Sequence, residues 1–127
     1  MTGSAATIET GDGTILGRLT ARMTNVERVE KWYEAHERKL TPQCSILRIK
    51  TLKPRDEAHS KVVIEVETES TLASVTFWNQ GDVTVLNVEK ATGRESILDD
   101  RRLTVADNIE SLLDGYFQQI VGPEVHS

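Results

Sequence analysis

Apolar residues recur along this chain with two alternating periods. Val26, Val29, Trp32, Tyr33, His36 and Leu40 fall three and four positions apart, the spacing that gathers side chains on one stripe of a helix. Thr24 stands three residues before Glu27, so a hydroxyl and a carboxylate can each satisfy a free amide of a first helical turn. A helix is therefore predicted to open at Thr24 and to end before Pro42, whose ring disfavours helical geometry at the residue ahead of it. From Ser45 to Leu103 the period falls to two, and turn residues break it every eight to twelve positions, the pattern of successive strands. Five are predicted: Ser45 to Leu52, Lys61 to Glu67, Thr71 to Trp78, Asp82 to Glu89, and one around Glu95 to Leu103. The linkers KPRDEAHS, TES, NQG and KATG supply reversal residues and are too short to hold a crossover helix, so the strands should form an antiparallel meander. At Thr104 the period returns to 3.6. T-V-A-D repeats the cap-plus-acid signal, and Val105, Ile109, Leu112, Leu113, Tyr116, Phe117 and Ile120 form an apolar face that Gly122-Pro123 closes.

Two helices with one apolar stripe each, around strands rich in Glu and Thr at alternate positions, imply an α+β domain of helix, meander and helix. Both helices should lie on one sheet face, with the other face open. A weaker helical pattern from Ile15 to Met23 is interrupted by Gly17, and the residues before it are small and polar. Residues 1–23 are thus expected to be a partly mobile arm, and residues 24–127 one domain.

Composition narrows the function. The chain has 127 residues, 38% hydrophobic and 28% charged, enough to form a core without disulfide or metal staples. Its 15 Lys and Arg against 20 Asp and Glu give a net charge of −5. That balance disfavours a nucleic-acid binder, which needs a basic face, and points to basic or mixed partners. Cys44 is the single cysteine, and no Cys/His spacing suits zinc, so neither a metal nor a cofactor is expected. No apolar run matches a secretory signal or a membrane span, and a cytoplasmic location is expected.

Candidate chemistry is sparse. His36 lies on or beside the first helix's stripe, His59 in a linker and His126 in the tail, and none neighbours a nucleophile or a second ligand. Glu65, Glu67 and Glu69 alternate along a strand. A row of alike, solvated carboxylates does not separate an acid from a base as glycoside chemistry requires; it reads as a solvated face or as a stripe that meets a basic partner. Catalytic residues are therefore expected to be none.

The stretch ASVTFWNQGDVTVLNVEKATG, from Ala73 to Gly93, joins a strand ending in Trp78, a tight turn with Gly81 and a second strand. Followed by a further strand and helix and preceded by a helix containing Trp32, it resembles the TriTu family of immunity proteins over about Val26 to Val121. The resemblance implies an antitoxin that is no enzyme and that binds, as a monomer in a 1:1 complex, an interbacterial toxin that ADP-ribosylates elongation factor Tu. A dimeric chaperone for a secreted effector is the alternative that the same small acidic domain allows.

For the toxin-binding residues, alternation places Ala73, Val75 and Phe77 toward the helices and Leu72, Ser74, Thr76 and Trp78 on the open face. Trp78 is either an interface anchor or a residue packed at the sheet's edge under the 53–60 linker. The expected interface comprises Trp78 with Thr76, Asn79, Gln80 and Asp82 beside it, together with Glu65 and Glu67.

Overall fold

Residues 23–122 are described by a computed structural model, and its first helix opens as the Thr24 signal requires. Thr24 is extended, its hydroxyl accepts the Glu27 N–H at 3.1 Å, and Glu27 Oε1 accepts the Thr24 N–H at 2.9 Å. These reciprocal bonds satisfy amides that a bare helix end leaves free. The helix, α1 (Asn25–Leu40), buries Val26, Val29, Trp32, Tyr33 and Leu40. A 3₁₀ turn at Thr41–Gln43, containing Pro42, ends it.

Five strands follow: β1 (Ile46–Leu52), β2 (Lys61–Glu67), β3 (Thr71–Trp78), β4 (Asp82–Glu89) and β5 (Glu95–Arg102). They pair antiparallel in chain order β1-β2-β3-β4-β5, so β3 is central and Trp78 lies at the end of the middle strand rather than at the sheet's edge. Gly81, with φ of 115°, makes the β3–β4 reversal, where a side chain would be strained. The alternation is strict in the centre: Val62, Ile64, Val66, Val75, Phe77, Val83 and Val85 are buried on one face, each worth about 1.5–3 kcal/mol of transfer free energy. Between β4 and β5 the register shifts at Val85/Leu86, so that Val85 faces Asp99 while Leu86 faces Ile97. Leu98 is then the extra residue of a bulge.

The second helix, α2 (Ile109–Val121), starts four residues after the Val105 start that a Thr104 cap would give, and its cap is Asn108, whose side chain accepts the Ser111 N–H at 2.8 Å. Thr104 and Asp107 bond to each other instead. Asp107 Oδ2 accepts the Thr104 N–H at 2.8 Å and the Asp107 N–H reaches Thr104 O at 3.0 Å, closing a separate turn. Val105, expected on the apolar face, is consequently fully exposed. From Ile109 onward the expected stripe holds: Ile109, Leu113, Tyr116, Phe117 and Ile120 are buried.

Both helices pack on the same sheet face and on each other. Trp32 and Phe117 rings lie 5.1 Å apart, Trp32 Nε1 donates to Asp114 Oδ1 at 2.9 Å, and Arg28 pairs with Glu110. Nothing covers the opposite face among the described residues. The expected arm up to Arg22, the Ile15 pattern and His126 lie outside them.

Candidate functional site

The register lays the open face out in four cross-strand rows. Its first row is Ile46, Glu67, Leu72, Val88 and Glu95; its second is Arg48, Glu65, Ser74, Leu86 and Ile97. The third runs Lys50, Val63, Thr76, Thr84 and Asp100, and the last contains Leu52, Lys61, Trp78, Asp82 and Arg102. Of the expected interface residues, Trp78 and Asp82 stand on the last row and Glu67 on the first, about 20 Å apart over six residues of β3 at roughly 3.3 Å each, with Thr76 and Glu65 on the two rows between.

At the Trp78 end the groups engage one another. Lys61 Nζ sits 5.7 Å from the Trp78 ring centroid, within cation–π reach. Asp82 pairs with Arg102 at 3.0 Å and accepts from Gln80 Nε2 at 3.0 Å, and Arg102 also donates to Gln80 O at 2.9 Å. Trp78 is half-buried on the open face, with Thr76 on the row beside it. Asn79 serves the other side of the molecule. Its Oδ1 accepts the Val26 N–H at 2.9 Å and its Nδ2 donates to Glu57 O at 3.1 Å, tying the β3–β4 turn to the start of α1 and to the β1–β2 linker.

At the far end Glu65 accepts from Arg48 Nε at 2.6 Å and Glu67 pairs with Lys90. The Arg48 hydrogen bond holds the Glu65 carboxyl below the usual carboxylate range. Between and beside these pairs lies an apolar trough of about 320 Å3, floored by Ile46, Leu72, Leu86 and Val88 and rimmed by Glu95. Among the described residues, the large apolar side chains left most exposed are Ile46, Leu52, Leu72, Ile97 and Val105, and all but Val105 stand on this face. Ile97 reaches 65% exposure. Scattered exposed aliphatics are ordinary on a soluble protein, but grouped ones mark a contact surface. Sequence reasoning did not single out Ile46, Leu72, Ile97 or Glu95, because only the pairing of β1 with β2 and of β4 with β5 brings them together. Their signal was available in part as apolar residues at the outward positions of strands.

The remaining chemistry-bearing side chains are held by structural partners. His36 stacks on Trp32 with centroids 4.2 Å apart, and its Nδ1 lies 2.8 Å from Trp32 O. His59 Nδ1 lies 2.8 Å from Asp56 Oδ2, and burial raises the Cys44 thiol above its ordinary value. Among the described residues no group of three or more His, Cys, Asp or Glu is placed to hold a metal, and no helix is long and apolar enough to cross a membrane.

No curated protein and no solved structure matches the chain. The model of the family described as immunity protein TriTu matches residues 27–119, a span that runs from the first turn of α1 into the last turn of α2 and takes in the whole sheet. The match extends over most of the chain, and the chain belongs to the TriTu family of immunity proteins.

Proposed function

We propose that this antitoxin acts by occlusion: it binds its cognate toxin domain one to one, without turnover, and the toxin is an ADP-ribosyltransferase that modifies elongation factor Tu. Membership of an immunity family supports a cognate toxin as the partner. The observation that carries the binding mode is the uncovered sheet face, where aliphatic side chains from β1, β3 and β5 stand exposed among charged groups. A face of that composition suits a partner that excludes water from its centre and keeps charges at its rim. Thr76, Trp78, Gln80, Asp82, Glu65 and Glu67 stand on or beside it. We assign them to the contact, with Asn79 holding the turn that presents Trp78.

The test is a titration of the toxin encoded by the neighbouring reading frame. Adding this protein should bring ADP-ribosylation of elongation factor Tu to zero near an equimolar ratio. Protection at strongly substoichiometric amounts would mean an enzyme that reverses the modification, and occlusion would be abandoned. A homodimer that binds an extended segment outside the toxin's catalytic domain would instead establish the chaperone reading.

A further inference from the structure

We propose that the trough at the Leu72 end of the open face is where the toxin is anchored, and that it takes a bulky apolar side chain with a lysine or arginine next to it. This rests on the immunity reading above and names the surface and the chemistry that the toxin must present.

The floor is assembled from three strands, β1, β3 and β4. Register sets Leu72 opposite Val88, with Ile46 across Glu67 from Leu72, and places Ile97 of β5 beside the trough, opposite Leu86. All point away from the helices, so nothing in the core explains why these positions are aliphatic. An apolar side chain left in water at an outward strand position carries an unfavourable hydration cost that a covering partner removes. The concavity of about 320 Å3 accepts an inserted side chain, the arrangement in which interface energy concentrates.

Charge at the rim selects the neighbour. Three carboxylates border the trough, and two are already neutralised: Glu65 by Arg48 at 2.6 Å and Glu67 by Lys90. Glu95, exposed on the β5 side opposite Val88, has no ion pair among the described residues. A partner cation placed there meets one uncompensated negative charge, and the chain's net charge of −5 adds a long-range pull on a basic surface. On the Trp78 row Asp82 is instead paired with Arg102, and Lys61 covers the Trp78 ring.

The experiment measures affinity of the full-length protein for the purified catalytic domain of the neighbouring toxin, with thermal unfolding of every variant. Leu72→Asp and Ile97→Asp should each weaken binding by about thirtyfold or more, and Glu95→Lys by about tenfold. Val105→Asp changes a more exposed aliphatic away from this face and should bind as wild type. Glu95→Gln should flatten the dependence of affinity on salt, which a purely structural role would not do. If wild type binds and protects while Leu72→Asp, Ile97→Asp and Glu95→Lys match it, the trough is not the anchor and the immunity reading stands. If wild type does not bind the toxin at all, the reading beneath the proposal fails. Should the two Asp variants unfold, Glu95→Lys on its solvent-exposed site decides alone. A wild-type dimer at low micromolar concentration that Glu95→Lys converts to monomer would assign the trough to a second copy of the chain and overturn the proposal.

Discussion

The Tyr116 hydroxyl donates to Asp99 Oδ2 at 2.5 Å, and the bond exists because of the β4–β5 bulge. Ile97 stands on the open face, so strict alternation would send Asp99 there too. The extra residue, Leu98, turns Asp99 to the helix side instead, where it also takes Arg101 Nε at 2.8 Å. Arg101 in turn reaches Asp107 at 3.2 Å, the residue that closes the turn before α2. A single inserted residue thus joins the last strand, the connecting turn and the second helix in one polar network while leaving Ile97 exposed on the opposite side.

Replacing Tyr116 by Phe should cost about 1–2 kcal/mol in urea unfolding, because Asp99 keeps Arg101 but loses a short bond in a largely buried place. The pH profile provides a second readout. Burial, and then Asp99, raise the Tyr116 pKa above its ordinary value of 10.0. The neutral form is therefore favoured in the folded state, and its stabilising contribution is complete below pH 10 and lost as pH rises through the folded value. Burial and Glu37 raise Tyr33 similarly. Wild type should lose stability as pH climbs above 10, and Tyr116→Phe should lose less over that range; equal slopes would contradict the assignment.

Asn79→Ala should lower stability rather than toxin affinity. The side chain bonds Val26 N–H and Glu57 O, so truncation leaves a donor of the α1 first turn and a linker carbonyl without those partners. A loss of about 1–2 kcal/mol follows, seen as a drop of several degrees in thermal midpoint. A variant that melts like wild type but binds the toxin weakly would place Asn79 in the interface instead.

Local physics made most of the fold legible. The boundaries of β2, β3 and β4 follow from alternation because both faces of these central strands are dictated by neighbours, and Thr24 with Glu27 announces α1 through contacts only three residues apart. The start of α2 was not readable. Thr104 and Asp107 carry the spacing of a capping box, yet the same two side chains close a free-standing turn, and nothing local tells the turn from the cap. The bulge at Val85/Leu86 was equally hidden, since it depends on a partner strand and on Tyr116. As for the site, the open face and Trp78's place on it were legible from alternation. The trough was not, because Ile46, Leu72 and Leu86 are separated along the chain and meet only through register.

Arg28→Ala should reveal how much the helix seam depends on one ion pair. The Arg28 guanidinium holds the Glu110 carboxyl below its ordinary value of 4.5; Nε donates to Oε2 at 3.0 Å. A lowered folded pKa means a contribution that is present above pH 4.5 and lost as pH falls through the folded value. The variant should be less stable than wild type by roughly 0.5–1 kcal/mol at pH 7, given Glu110's partial exposure, and the gap should narrow in acid. A gap that stays constant down to pH 2 would mean that Arg28 acts through packing of its aliphatic stem rather than through the pair.

Trp78→Ala should weaken toxin binding about tenfold, or roughly 1.4 kcal/mol, with little change in thermal unfolding. The ring lies on the open face at the end of the central strand, half-buried and beneath Lys61, so part of its surface is already desolvated before the toxin arrives. Its effect should therefore be smaller than that of the trough residues, whose burial awaits the partner. Lys61→Ala separates the two contributions: it uncovers the ring without removing it and should leave affinity unchanged or improved. If Trp78→Ala melts several degrees lower and its folded fraction still binds normally, the ring supports the turn at Gly81, and the contact is confined to the other end of the face.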